Sequence, residues 1–250
     1  MTFDAKSVRE DWDLAADAYA DGQANGRDFY RYAFFGPAQI ELVGKVQGAR
    51  LLDVGCGSGY FSRAMAERGA EVIGIDLSPR MIDHARDAGD PIEYAVVDAE
   101  QLDSHFAAGS FDVATACMSL QDMPNPQRAL AAIHTVLRPG GRLVFSIEHP
   151  VANPPYREWA RDALGGKLYL CIDRYFDRGP VPYTWKRWAY EFTTSALHVT
   201  LEDWFTWILD AGFTLRGFRE PRPSHETVYA HPELSDAARV PYFAMFDLVR

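Results

Sequence analysis

Between residues 50 and 147, short apolar runs alternate with longer amphipathic stretches. Arg50–Val54, Glu71–Ile75, Ile92–Val96, Phe111–Ala116 and Arg142–Ile147 are brief and rich in β-forming residues, the pattern of parallel strands covered on both faces. The stretches between them carry helix punctuation. Ser78-Pro79 supplies a capping side chain and a proline at the first helical position, and Gly89 stands where a left-handed cap closes a helix. Asn125-Pro126 opens another helix, which sets Ala129, Leu130, Ile133, Val136 and Leu137 on one stripe ahead of a Pro139-Gly140-Gly141 turn. Strand alternating with helix predicts right-handed crossovers and an α/β, doubly wound, mostly parallel sheet. Ligands of such sheets bind beyond the carboxyl ends of the strands.

The flanks extend this core, residues 49–149, into one domain of residues 1–250. Ser7–Tyr19 and Pro37–Gln47 read as amphipathic helices, a cover built from residues 1–48. Residues 150–197, after the fifth strand, are rich in Pro, Trp, Tyr and Arg and hold no sustained period, so they read as a lid or insertion. Within 198–250, Thr200 and Asp203 resemble a capping box for a helix that runs to Ala211 and closes at Gly212. Two last strands, Phe213–Arg219 and Pro241–Val249, bring the sheet to seven.

Composition narrows the setting. The chain has 250 residues, 48% of them hydrophobic, enough for a substantial core. Its 3 cysteines, Cys56, Cys117 and Cys171, form no CxxC pair and suggest neither a disulfide framework nor a zinc site, which fits a reducing cytoplasm. The first residues are polar, and no apolar run approaches the ~18 residues of a membrane span, so a soluble protein is expected. A formal net charge of −10 argues against nucleic acid, whose phosphates require clustered Lys and Arg. The expected partner is a small molecule, with the chain a monomer or homodimer.

The chemistry begins at Leu51-Leu52-Asp53-Val54-Gly55-Cys56-Gly57-Ser58-Gly59, where three glycines follow the first strand and precede a helix starting near Tyr60. Glycine tolerates positive φ and lets a ligand approach the backbone, while a helix N-terminus offers free N–H donors. The spacing G-x-G-x-G, with Tyr60 where a dinucleotide fingerprint has its last glycine, disfavours NAD. Asp76 ends the second strand about twenty residues further on, where an acid accepts hydrogen bonds from ribose hydroxyls or caps the following helix. Asp98 ends the third strand and either meets an adenine amino group or forms a turn.

Together with Gly74-Ile75-Asp76-Leu77-Ser78, Val97-Asp98-Ala99 and Leu137-Arg138-Pro139-Gly140-Gly141, this loop resembles the class I S-adenosylmethionine-dependent methyltransferases over roughly residues 37–148. The resemblance implies a Rossmann-like fold that binds S-adenosylmethionine and releases S-adenosylhomocysteine. It implies that Asp53 with Gly55, Cys56, Gly57 and Gly59 holds the methionine end. Asp76 would take the ribose, Leu77 and Met81 an adenine face, and Asp98 with Ala99 the adenine edge. The backbone carbonyl of Cys117 would face the cofactor's amino group. Trp12, Tyr19 and Tyr30 look like the aromatic cover of small-molecule members, with Tyr19 over the methionine moiety.

Methyl transfer from a sulfonium needs an aligned acceptor and little water, and a base only where the acceptor must lose a proton. Ile147-Glu148-His149-Pro150 leaves the fifth strand on the ligand side, so His149 and then Glu148 are the catalytic candidates. His149 serves equally to fix the loop before Pro150. Gln121 and Asp122 either orient the acceptor or form the turn before Pro124-Asn125-Pro126. The aromatic residues Tyr156, Trp159, Tyr169, Tyr175, Phe176, Tyr183, Trp185, Trp188 and Tyr190 suit an acceptor wall or a packed subdomain, with Tyr183 and Trp185 the acceptor candidates. His198 and His225 have no ligand spacing, so no metal is expected. The expected reaction is methylation of an O, N or C atom of a small molecule such as a secondary metabolite. The alternatives are a cofactor-binding protein that does not methylate, or a protein methyltransferase docking its substrate on residues 150–197.

Overall fold

Strand β1 (Arg50–Val54) lies mid-sheet because its side chains find cover on both faces; only Arg50, at its start, is exposed. The computed structural model describes residues 2–187 and 190–250, with the side chains at 187 and 190 set aside, so Trp188 lies outside the described residues and nothing is drawn from the Tyr190 ring. In chain order α1 (Ala5–Ala24), a π-helical turn (Arg31–Phe35) and α2 (Gly36–Val43) precede β1. Then come α3 (Tyr60–Ala66), β2 (Glu71–Asp76), α4 (Pro79–Asp87), β3 (Glu93–Val96), α5 (Leu102–His105), β4 (Phe111–Cys117), α6 (Pro126–Val136) and β5 (Leu137–Glu148). Two hairpins follow, β6 (Tyr156–Arg161) with β7 (Lys167–Asp173) and β8 (Gly179–Arg187) with β9 (Tyr190–His198). The chain closes with α7 (Leu201–Asp210), β10 (Thr214–Arg219), α8 (His225–Ala230) and β11 (Phe243–Val249).

The seven-stranded sheet has the order β10-β11-β5-β4-β1-β2-β3 and is parallel except for β11, which runs antiparallel to both neighbours. On one face Ala129 and Leu130 of α6 and Trp204 and Ile208 of α7 pack on Leu52, Phe145 and Phe246. On the other, Val43 of α2 and Phe61 and Met65 of α3 pack on Leu51, Val113 and Met245. The doubly wound, mostly parallel architecture expected from the sequence is therefore the one observed. It brings the carboxyl ends of β1, β2, β3, β4 and β5 to one edge.

Capping explains several boundaries. Asp4 and Ser7 form a capping box, so α1 starts earlier than the apolar period suggests. Ser78 caps α4 through Met81 N, Asn125 caps α6 through Arg128 N, and Thr200 with Asp203 caps α7. Leu137 is corrected: it begins β5 and pairs with Phe111, and Pro139-Gly140-Gly141 lies in an irregular first half of that strand rather than in a separate turn. Gly140 has φ +76 and bulges the strand there, and Gly140 N donates to Arg250 O and Arg250 N to Gly141 O, so the C-terminus ties this stretch down. Among the described residues no helix is long and apolar enough to cross a membrane.

The cover is tied to the core by polar contacts that periodicity does not reveal. Ser78 Oγ donates to Asp13 Oδ1 at 2.5 Å, and Asp17 meets Arg80 at 2.6 Å and His84 at 2.7 Å, joining α1 to α4. Exposed pairs of this kind contribute little stability each; here they fix where α1 lies. Tyr19 and Ala16 of α1 pack with Met81 of α4, against Trp12, Trp185 and Phe192. The segment left as a lid or insertion is thus two antiparallel hairpins, and β9 packs on α1.

Candidate active site

Two cavities open beyond the strand edge. The first holds about 780 Å³ including its mouth and is walled by Gly55, Cys56 and Gly57 after β1, Asp76 and Leu77 after β2, and Asp98 and Ala99 after β3. Cys117, Met118 and Ser119 after β4 complete it, with Val8, Trp12, Tyr19 and Gln23 of α1 above. Expected cofactor residues Tyr19, Gly55, Cys56, Gly57, Asp76, Leu77, Met81, Asp98, Ala99 and Cys117 are all on this wall.

The glycines of the loop differ in what they face. Gly57 has φ +53, and a Cβ there would meet nothing closer than Tyr19 Cε1 at 4.0 Å, so its bare backbone is open toward the cavity. Gly55 has φ +69, and a Cβ would overlap the Ser119 side chain. Gly59 is corrected: it does not line the cavity, and a Cβ there would meet Arg63 Nη1 and Tyr94 Oη at 2.6 Å, so its absence of a side chain serves packing beneath the loop. Asp53 is likewise corrected. It is 1% exposed and absent from the cavity wall, and it accepts hydrogen bonds from Ser62 Oγ at 2.6 Å and Thr115 Oγ1 at 3.0 Å. Burial lifts its carboxyl to about 6, against those two hydroxyls.

Asp76 lines the cavity and does not itself cap α4. Its Oδ2 accepts from Gly57 N and its Oδ1 from Ser78 N, each at 2.9 Å, while the residue lines the cavity; the helix cap itself is Ser78. Burial raises its pKa, with the two backbone donors opposing. Asp98 accepts from Glu100 N at 2.9 Å and so forms a turn while still facing the cavity. These features fit a nucleoside with an amino-acid end: an acid at the end of β2, an apolar shelf from Leu77 and Met81, polar groups at the end of β3, and open backbone at Gly57.

The second cavity, about 950 Å³ including its mouth, adjoins the first; Trp12, Tyr19, Arg31, Met118 and Asp122 line both. Gln121, Glu148, Tyr183 and Trp185, expected at the acceptor, are on its wall with Tyr30, Arg157, Tyr242 and Phe243. Trp185 presents an edge contact to Tyr19 at 6.1 Å and donates from Nε1 to Thr194 Oγ1 at 3.0 Å. His149 lines neither cavity. It is 3% exposed, its Nδ1 accepts from Val151 N at 3.2 Å, and Glu220 Oε1 lies 3.1 Å from Nε2, the loop-fixing arrangement rather than the catalytic one. Burial lowers its pKa, with Glu220 opposing.

Two contributors were missed. Arg31 is 7% exposed, pairs with Asp28 at 3.0 Å, donates to the Tyr19 hydroxyl and lies over the Tyr19, Phe35 and Tyr60 rings. Its signal in sequence is an arginine embedded in Phe29-Tyr30-Arg31-Tyr32-Ala33-Phe34-Phe35. Met118 stands at the junction of the cavities with φ +59, a strained conformation for a side-chain-bearing residue. Ser146 Oγ accepts from its N–H at 3.2 Å and Gln121 Nε2 donates to its carbonyl at 2.8 Å.

With this geometry in view, the family model, the curated relatives and a solved structure at 33% identity point to methyltransferases. A methyltransferase-domain family matches residues 52–145. The S-adenosylmethionine-dependent methyltransferase of Mesorhizobium loti superposes with a TM-score of 0.74 at 33% identity, over 86% of this chain and 96% of that one. The chain belongs to the S-adenosylmethionine-dependent methyltransferases. The ubiquinone biosynthesis O-methyltransferase of Bordetella avium is 41% identical over 110 residues, 42% of this chain and 45% of the relative. That of Aromatoleum aromaticum is 40% identical over 141 residues, 54% of this chain and 58% of the relative. The matches to curated relatives thus span about half the relatives' length.

Proposed function

We propose that the protein moves a methyl group from S-adenosylmethionine, held in the first cavity, to an O, N or C atom of a small molecule held in the second. The observation that carries this is the shared wall: Tyr19, Arg31, Met118 and Asp122 border both cavities. Gly57, Asp76, Leu77, Met81, Asp98, Ala99 and the Cys117 carbonyl would hold the cofactor, which when bound supplies an activated methyl on a sulfonium. The chain's own contribution is alignment and exclusion of water, with Trp12, Tyr19 and Trp185 closing over the junction. A small acceptor is favoured because α1 and the β8–β9 hairpin enclose the second cavity. The curated relatives are named O-methyltransferases, which favours oxygen. Three unpaired cysteines accord with a cytoplasmic setting.

Calorimetry with S-adenosylmethionine on the wild type and on Asp76→Ala, with NADH as control, tests the reading. Micromolar binding that weakens at least tenfold in the variant is expected, about 1.4 kcal/mol for loss of a carboxylate hydrogen bond. NADH binding, or no cofactor binding, would sink it.

A further inference from the structure

The segment after β4 gathers polar side chains where the cavities meet. Asp122 lines both, and Gln121 and Glu148 line the second and a small adjoining recess. Gln121 is 6% exposed. Its Nε2 donates to Met118 O, which fixes the sense of the amide and leaves Oε1 buried with no hydrogen-bond partner among the described residues. A buried acceptor left so is costly, and a ligand that brings a donor recovers that cost on binding. Around it the cavity offers flat walls: Trp185 and Tyr183 meet edge to face at 5.0 Å, and Tyr242 and Phe243 lie on the same wall.

Resting on the reading of the second cavity as the acceptor site, we propose that Gln121 and Asp122 select a planar acceptor presenting an O–H or N–H, and that Asp122 receives its proton. Gln121 Oε1 and the Asp122 carboxylate accept hydrogen bonds from the acceptor. The acceptor heteroatom's lone pair forms the bond to the methyl carbon, the carbon–sulfur pair stays on sulfur, and the released proton goes to an Asp122 oxygen. A sulfonium and a carboxylate thus become a thioether and a carboxylic acid, and charge balances.

The surroundings suit that role. Burial, then the negative charges of Glu148 and Asp76, push the Asp122 carboxyl well above the usual carboxylate range, so a proton delivered there is held more firmly than on an exposed aspartate. The arginines on the wall of the second cavity are already engaged: Arg31 with Asp28 and Tyr19, and Arg157 with the Ala152 carbonyl and the Tyr242 ring. Glu148 is a positioning residue, acting on Asp122 through its charge.

The test uses the full chain saturated with S-adenosylhomocysteine and compares 2-naphthol with 2-methoxynaphthalene, the same rings without the O–H, by calorimetry. Wild type is expected to bind the naphthol about tenfold more tightly, and Gln121→Leu and Asp122→Asn to reduce the preference to about twofold or less. Far-UV circular dichroism and a cooperative thermal melt check that each variant is folded, and Gln121→Leu carries the test if Asp122→Asn does not fold. Infrared titration supplies a second readout: a carboxyl band absent from Asp122→Asn should titrate above the ordinary range and move down in Glu148→Gln. Equal affinity of wild type for the two compounds, or an Asp122 band in the ordinary range, overturns the inference and leaves methyl transfer standing. Failure of both compounds to bind overturns the acceptor-cavity reading beneath it.

Discussion

Asp53 sits in the middle of the glycine-loop motif yet turns away from the cavity, and its buried carboxyl carries a stability consequence. Its pKa rises from 3.8 to about 6 on folding, so the folded state holds the proton more tightly than the unfolded one. The associated stability is complete below 3.8 and is lost as pH climbs to about 6. Relative to Asp53→Asn, wild type should lose up to ~3 kcal/mol across that window, measured by urea unfolding at several pH values. A flat difference would show that the Ser62 and Thr115 hydroxyls offset the burial. A place on the cavity wall was legible in the sequence where a strand end dictated it, as at Asp76 and Asp98. It was not legible at Asp53, Gly59 and His149, because a motif gives residue types and spacing but not which side of the loop each side chain faces. Arg31 escaped for a related reason: beside the nearby Asp28, burial of its guanidinium depends on the Tyr19 and Tyr60 rings, which only the fold brings to it.

At the scale of elements, strands β1, β2, β4 and β5 could be read because they are largely buried on both faces, and the edge strand β3 because it continues their alternation with helices. The hairpins could not. β6 and β7 are largely exposed and alternate poorly, and Pro180 and Pro182 argue against a strand at β8. β8 pairs only with β9, so the missing proline N–H groups cost no second ladder. This hairpin delivers Trp185 to Tyr19, which makes it part of the roof. Trp185→Ala should speed dissociation of a bound aromatic acceptor about tenfold in stopped-flow fluorescence, while the melting temperature changes by only a few degrees. A large fall in melting temperature would instead place Trp185 among the residues that hold the sheet together.

Over the whole molecule, the order of the seven strands positions everything else: with β4 central and β1 beside it, the glycine loop and the Met118–Asp122 segment emerge next to each other although far apart in sequence. The shared wall of the two cavities has a thermodynamic corollary. Two guests that touch the same Tyr19, Arg31 and Asp122 cannot be independent, and whatever factor one changes in the other's dissociation constant must be returned in equal measure. Calorimetric cycles with S-adenosylhomocysteine and 2-naphthol, run in both orders, should close on one coupling factor different from unity. A factor that tightens both means that each guest finishes the other's pocket, so the partition favours the full complex over either half-filled one whichever guest arrives first.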